Sequence, residues 1–121
     1  MVEVVDVGEK FDLIKEHWLP HVVGTVNDCA VKFAKLHGDF PWHSHEHEDE
    51  LFFVVKGSLV IELRDGQIAL GPNQLTVVPR GVEHRPIAEE EVWVMLFEPA
   101  TTLNTGDADA NELTRRQLPK L

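Results

Sequence analysis

From Cys29 to Phe97 the chain is a succession of short apolar runs cut by turn signals, and this punctuation limits the fold more than any other feature. Val22 to Val26 is short and β-branched, and Asn27-Asp28 closes it as a turn. Cys29 to Leu36 alternates, with Cys29, Val31, Phe33 and Lys35 on one face and Ala30, Lys32, Ala34 and Leu36 on the other. Leu51 to Val55, Ser58 to Arg64, Gln67 to Leu70 and Leu75 to Val78 read as further strands. Asp65-Gly66 predicts a hairpin with a type I′ turn. Gly71-Pro72-Asn73 and Pro79-Arg80-Gly81 punctuate the next runs. Glu83 to Ile87 and Val92 to Phe97 complete the set, with Glu89-Glu90-Glu91 expected to form a solvated acidic turn between them. About eight strands at this spacing predict an all-β sandwich or barrel.

A chain of 121 residues is one domain, long enough for a hydrophobic core without disulfides. Residues 1–20 read as a lead-in segment with one short helix, since Phe11, Leu13, Ile14 and Trp18 fall at helical spacing before Pro20. Residues 21–99 carry the strands, and residues 100–121 form a polar tail that docks in part or frays. All five residues from Leu51 to Val55 are apolar, so that strand needs cover on both faces. The N-terminal helix or a partner subunit supplies the second cover, and a homodimer is expected.

Acids outnumber Lys and Arg by 21 to 11, and the net charge of -10 argues against nucleic acid and anionic membranes as partners. No run reaches the roughly 20 apolar residues of a membrane span, and the N-terminus lacks a signal core. A cytoplasmic protein is expected. Cys29 is alone and reads as a small buried hydrophobe.

Seven histidines in so short a chain are the functional clue. His43, His45 and His47 sit in a segment that also holds Glu46, Glu48, Asp49 and Glu50, and His84 follows the turn at Pro79-Arg80-Gly81. Alternate strand residues share a face, so His43 and His45 can reach one ion. A turn through Glu46 to Asp49 would reset the register and point Glu50 inward with Phe52 and Val54. Three imidazoles and a carboxylate suit a first-row divalent metal with positions left for water or substrate. His47 also shares the odd-numbered face, so His45 with His47, or all three, are alternatives. Glu48 and Asp49 are weaker alternatives to Glu50. Each segment alone is equally a solvated His-and-acid turn or an ordinary hydrogen-bonded histidine.

The run His43-Ser44-His45, Glu50, Gly57 resembles the first cupin motif, His-x-His-x(3,4)-Glu-x(6)-Gly. Pro79-Arg80-Gly81 followed by His84 resembles the heart of the second, Pro-x-Gly-x-x-His. The likeness covers Val31 to Pro99, and the chain resembles a small single-domain cupin. Leu103 to Asp107 is similar to the tails of small bacterial cupins called mannose-6-phosphate-isomerase-like, a name that reflects fold rather than activity. The resemblance implies a double-stranded β-helix, or jelly roll, with His43, His45, Glu50 and His84 as metal ligands inside the barrel. Three departures touch loops rather than ligands. Gly38 lies one residue too close to His43, Asn73-Gln74 replaces the second motif's Gly-Asp, and Ala88 stands where that motif carries Asn.

The expected function is a metal-dependent enzyme acting on a small polar organic molecule, of isomerase, lyase or dioxygenase type. Mn, Fe, Ni or Zn would each suit these ligands. The alternative is a non-catalytic module that senses or binds a small molecule through its metal. Glu48, His47 and Glu83 are candidate acid–base groups. Arg80 and Arg85 either bind an anion or pair with Glu83 or Glu89. Phe40 and Trp42 are candidates for an apolar pocket, with Phe52 and Trp93 more naturally packing residues. His17, His21 and His37 have no metal spacing.

Overall fold

A computed structural model describes residues 2–121 of the chain. The Asn27-Asp28 pair makes the first reversal. Asn27 takes φ 51°, a left-handed conformation asparagine tolerates, and β1 (His21–Val26) folds back antiparallel on β2 (Cys29–Asp39). Five more strands follow: β3 (Glu50–Lys56), β4 (Leu59–Leu63), β5 (Gly66–Leu70), β6 (Leu75–Val78) and β7 (His84–Pro99). Every pairing between them is antiparallel. The result is an all-β jelly-roll barrel with one short helix, as the sequence predicts.

Seven strands form among the described residues, because the last two expected strands are one. Glu89, Glu90 and Glu91 are exposed but remain extended, so they are not a turn. They mark a corner. Beyond it β7 pairs with β3 from Trp93 to Phe97, and before it β7 pairs with β4 from His84 to Ile87. Against β2 the register jumps from Leu36–Val92 to Gly38–Ala88, a bulge that bends the strand. Gly57 lies under this corner at φ 91°, where a Cβ would come within 2.9 Å of the Glu91 carbonyl. The β4–β5 hairpin also departs from expectation. Leu63 pairs with Gly66, so Arg64-Asp65 is the loop; neither residue has positive φ, and the turn is not type I′.

Alternation places the core. Phe52, Val54, Ile61, Val94 and Leu96 point inward and are buried. On the outside, Phe11, Ile14 and Phe33 form a second cluster, with Phe11 stacked on Phe33 at 4.7 Å and on Trp93 at 4.9 Å. The helix behind Phe11 is α1 (Val7–Asp12), capped by Asp6 accepting from the Glu9 amide at 2.9 Å. It stops before Leu13, which is exposed, rather than continuing to Trp18. Past Ile14 the chain is drawn along β2 instead: the Trp18 amide donates to the Lys35 carbonyl at 2.9 Å, and Lys35 Nζ donates to the Ile14 carbonyl at 3.1 Å. Trp18 thereby reaches Phe40 in the inner core.

The outer face of β3 is covered only at one end, where Val55 packs on the Phe11 cluster. Leu51 and Phe53 are half-buried beside the edge strand β6, whose Leu75 and Val77 are 55% and 49% exposed. The tail lies against the barrel. The Val22 amide donates to the Pro119 carbonyl and the Leu121 amide donates to the Val22 carbonyl, each at 2.9 Å, and the Asp107 amide donates to the Ser44 carbonyl at 3.0 Å. No described helix is long and apolar enough to cross a membrane.

Candidate metal centre

His43 and His45 lie in the connection between β2 and β3, Glu50 opens β3, and His84 opens β7. Three contacts bring these segments together. His43 and His84 form a two-bond antiparallel bridge, at 3.1 and 2.9 Å. The Gly81 amide donates to the His45 carbonyl at 2.8 Å. Asp49 accepts from the Arg80 amide, also at 2.8 Å, and from the Arg80 guanidinium. The turn at Pro79-Arg80-Gly81 is thus fastened to the His-rich segment along its length. Asp107 holds the other side, accepting from the Ser44 amide at 2.7 Å and from its hydroxyl at 3.0 Å.

His43, His45, Glu50 and His84 are all buried, and one ligand atom from each lies within 4.8 Å of the others. Nδ1 of His43 faces the Pro41 carbonyl at 2.9 Å and Nδ1 of His84 faces the Val82 carbonyl at 3.0 Å. Those bonds leave both Nε2 atoms directed at the centre, the orientation a ligating histidine needs. Glu50 Oε1 stands 3.3 Å from His84 Nε2 and 3.5 Å from His45 Nε2. Ligands about 2.1 Å from one ion are about 3 to 4 Å apart, so a small contraction of this cluster would accommodate one ion.

The electrostatics favour ligation. Burial, then His84, lowers His43 from 6.5 to about 4, so its imidazole is neutral at pH 7. Burial opposes ionisation of Glu50, but the neighbouring His45 and His84 imidazoles outweigh it and hold that carboxyl below the ordinary range. His45 Nε2 is buried without a good hydrogen-bond partner, which an ion would supply.

The structure leaves the other candidates outside. His47 is at the surface beside Glu46. Glu48 accepts from Thr101, Asp49 pairs with Arg80, and Glu83 pairs with Arg64, so none of the expected acid–base groups reaches the cluster. Arg80 and Arg85 pair with acids, but with Asp49 and Glu62 rather than Glu83 or Glu89. Phe40 and Phe52 line the cavity beside His43 and Glu50; Trp42 instead stacks under Arg64 at 3.9 Å, and Trp93 packs outside. His17 bonds Glu91 and His21 bonds the Leu19 carbonyl. Cys29 is half-buried and free.

Sequence reasoning missed Lys32 and Glu98. Lys32 Nζ donates to Glu98 Oε1 at 3.0 Å, with both side chains 3% exposed. Glu98 reaches Glu50 and lines the cavity. Burial first and the Glu50 charge second push its carboxyl well above the usual range, against the pull of Lys32. The signal was in the alternation, because Lys32 shares the inner face of Ala30, Ala34 and Leu36, and Glu98 continues Val92, Val94 and Leu96.

Residues 31–99 match the family model described as a cupin domain. A cupin-2 domain containing protein from Shewanella frigidimarina has a solved structure similar to this one. Identity is 43% over 79% of this chain and 94% of that one, with a TM-score of 0.78. A structure from Neisseria meningitidis is 29% identical over 81% of this chain and all of that one (100%), with a TM-score of 0.74. The uncharacterized protein YdbB of Bacillus subtilis is 37% identical over 73 residues, 60% of this chain. The match spans 65% of that relative's length.

Proposed function

The chain belongs to the cupin family, and on that premise we propose that it is a metal-dependent enzyme acting on a small organic molecule. The observation that carries this is the convergence of three imidazoles and one carboxylate on a single buried point. His43, His45, Glu50 and His84 would hold a divalent transition metal, and Mn, Fe, Ni and Zn all suit the donor set. A bound ion would supply Lewis-acid polarisation of a ligand oxygen. The chain's own part is to keep His43 neutral, to fix two Nε2 atoms through Pro41 and Val82, and to limit water. Isomerase, lyase and dioxygenase chemistry are the reaction types this centre would serve.

A non-catalytic binding module is the second reading. It is favoured by one observation: His47, Glu48 and Glu83 lie outside the cavity. Homodimerisation over the outer face of β3 and β6, and a cytoplasmic location consistent with a free Cys29, complete the proposal.

Metal content by mass spectrometry tests the centre. The native protein should carry about one equivalent after loading with Mn, Fe, Ni or Zn. The His43→Ala/His84→Ala variant should retain less than about a tenth of that. Full metal content in the variant would assign the ion to other residues.

A further inference from the structure

Among the described residues, two buried side-chain atoms lack a hydrogen-bond partner, His45 Nε2 and Glu98 Oε2. An unpartnered buried polar atom costs about 1–3 kcal/mol, so each needs an occupant. The metal accounts for the first. It does not account for the second, because Glu98 belongs to neither motif and lies outside the four-residue cluster.

Glu98 is held in place. Lys32 fixes Oε1 at 3.0 Å from within the barrel wall, and β7 pairs with β2 through Ala30 opposite Glu98. The carboxyl borders a cavity of about 40 Å³. Glu50 and His43 form one wall of it, and Trp18, Leu36, Phe40 and Leu96 form apolar walls; Asn104 also lines it, with its Nδ2 donating to the Leu113 carbonyl and its Oδ1 accepting from the Arg115 amide. Sugars and polyols, with a hydroxyl on every carbon, would leave most of those hydroxyls unpaired here. A short apolar body with a single hydroxyl would not.

We propose that Glu98 recognises the ligand of the metal centre, its Oε2 meeting the hydroxyl of a small, otherwise apolar molecule. The assignment rests on the metal-centre reading for the position of the ligand's other polar group. A hydroxyl both donates and accepts, so it pairs with Glu98 in either protonation state.

Hydroxyacetone and butanone test this, because they share a ketone and differ by a hydroxyl in place of a methyl. Amide NMR shifts are followed as each is titrated into zinc-loaded and zinc-free protein, with zinc uptake measured separately. Hydroxyacetone should shift Phe40 and Phe52 and bind about tenfold tighter or more, the worth of one buried hydrogen bond to a carboxyl group. In Lys32→Met/Glu98→Leu, which removes both hydrogen-bonded partners as a unit, the preference should fall to about one. Equal affinity of the two ketones in the native protein overturns the proposal, as does a preference that survives in the variant. Cavity residues that shift with neither ketone overturn it as well. The native comparison needs no variant to fold. One equivalent of zinc with no preference refutes the Glu98 assignment alone; a preference without zinc uptake supports Glu98 and refutes the metal centre.

Discussion

His43 is the residue on which acid sensitivity turns. Its imidazole titrates at about 4 in the fold and at 6.5 when free. Between those values the unfolded chain binds the extra proton, so the stability that His43 contributes to the metal-free protein rises with pH across that window. At about 1.4 kcal/mol per unit, that contribution is on the order of 3 kcal/mol. Glu50 acts in the same direction at lower pH, because its depressed carboxyl loses its stabilisation only as pH falls below 4.5. Glu98 acts in the opposite direction above 4.5, because its raised carboxyl keeps in the fold a proton that the unfolded chain loses. Urea unfolding at pH 4 to 7 isolates the His43 share as the native stability minus that of His43→Asn, and this difference should rise with pH. A difference flat from about pH 4 to 6.5 would contradict the assigned burial cost.

The ligand candidates were legible as spacing, because a His-x-His-x(3,4)-Glu run and a Pro-x-Gly-x-x-His run survive intact in the chain. Phase alone did not separate His45 from His47. What separates them is the Gly81 bond to the His45 carbonyl, a tertiary contact that no local pattern records. Lys32 was legible as an inward-facing lysine, but its partner is 66 residues away.

At the scale of elements, the tail acts as a clasp on the His-rich segment. Gly106 has φ 52°, and a Cβ there would lie 2.2 Å from the Ser44 carbonyl. Neither the backbone nor that carbonyl can yield cheaply. Gly106→Ala should therefore cost about 1–3 kcal/mol and release the Ser44–Asp107 bonds. Hydrogen exchange should accelerate at the Ser44 and Asp107 amides more than in β3. Unchanged exchange at both would show that the clasp is dispensable. The turn signals located most strand ends, since Gly, Pro and Asn act locally. They failed at Glu89 to Glu91, where pairing with two different neighbours keeps an acidic, exposed run extended. They failed also at the N-terminus, where the edge of β2 draws the chain out of its helix.

For the whole molecule, the outer face of β3 and β6 is the open question of assembly. Leu75 and Val77 stand exposed next to Leu51 and Phe53, on an edge strand with free backbone groups. A second copy would cover these residues isologously. Light scattering should give about twice the 13.7 kDa chain mass, falling to one chain in Leu75→Lys/Val77→Lys. A native monomer at high concentration would remove the dimer from the proposal.

His84 and Glu98 open and nearly close one bent strand, and Glu50 touches both. During synthesis the N-terminal part of the centre leaves the ribosome first, when β2 and β3 still lack the strand that joins them. Lys32 lacks Glu98, and His43 its backbone partner, until β7 emerges. On the metal-centre reading, an ion would therefore be chosen by the finished barrel rather than stepwise by the nascent chain.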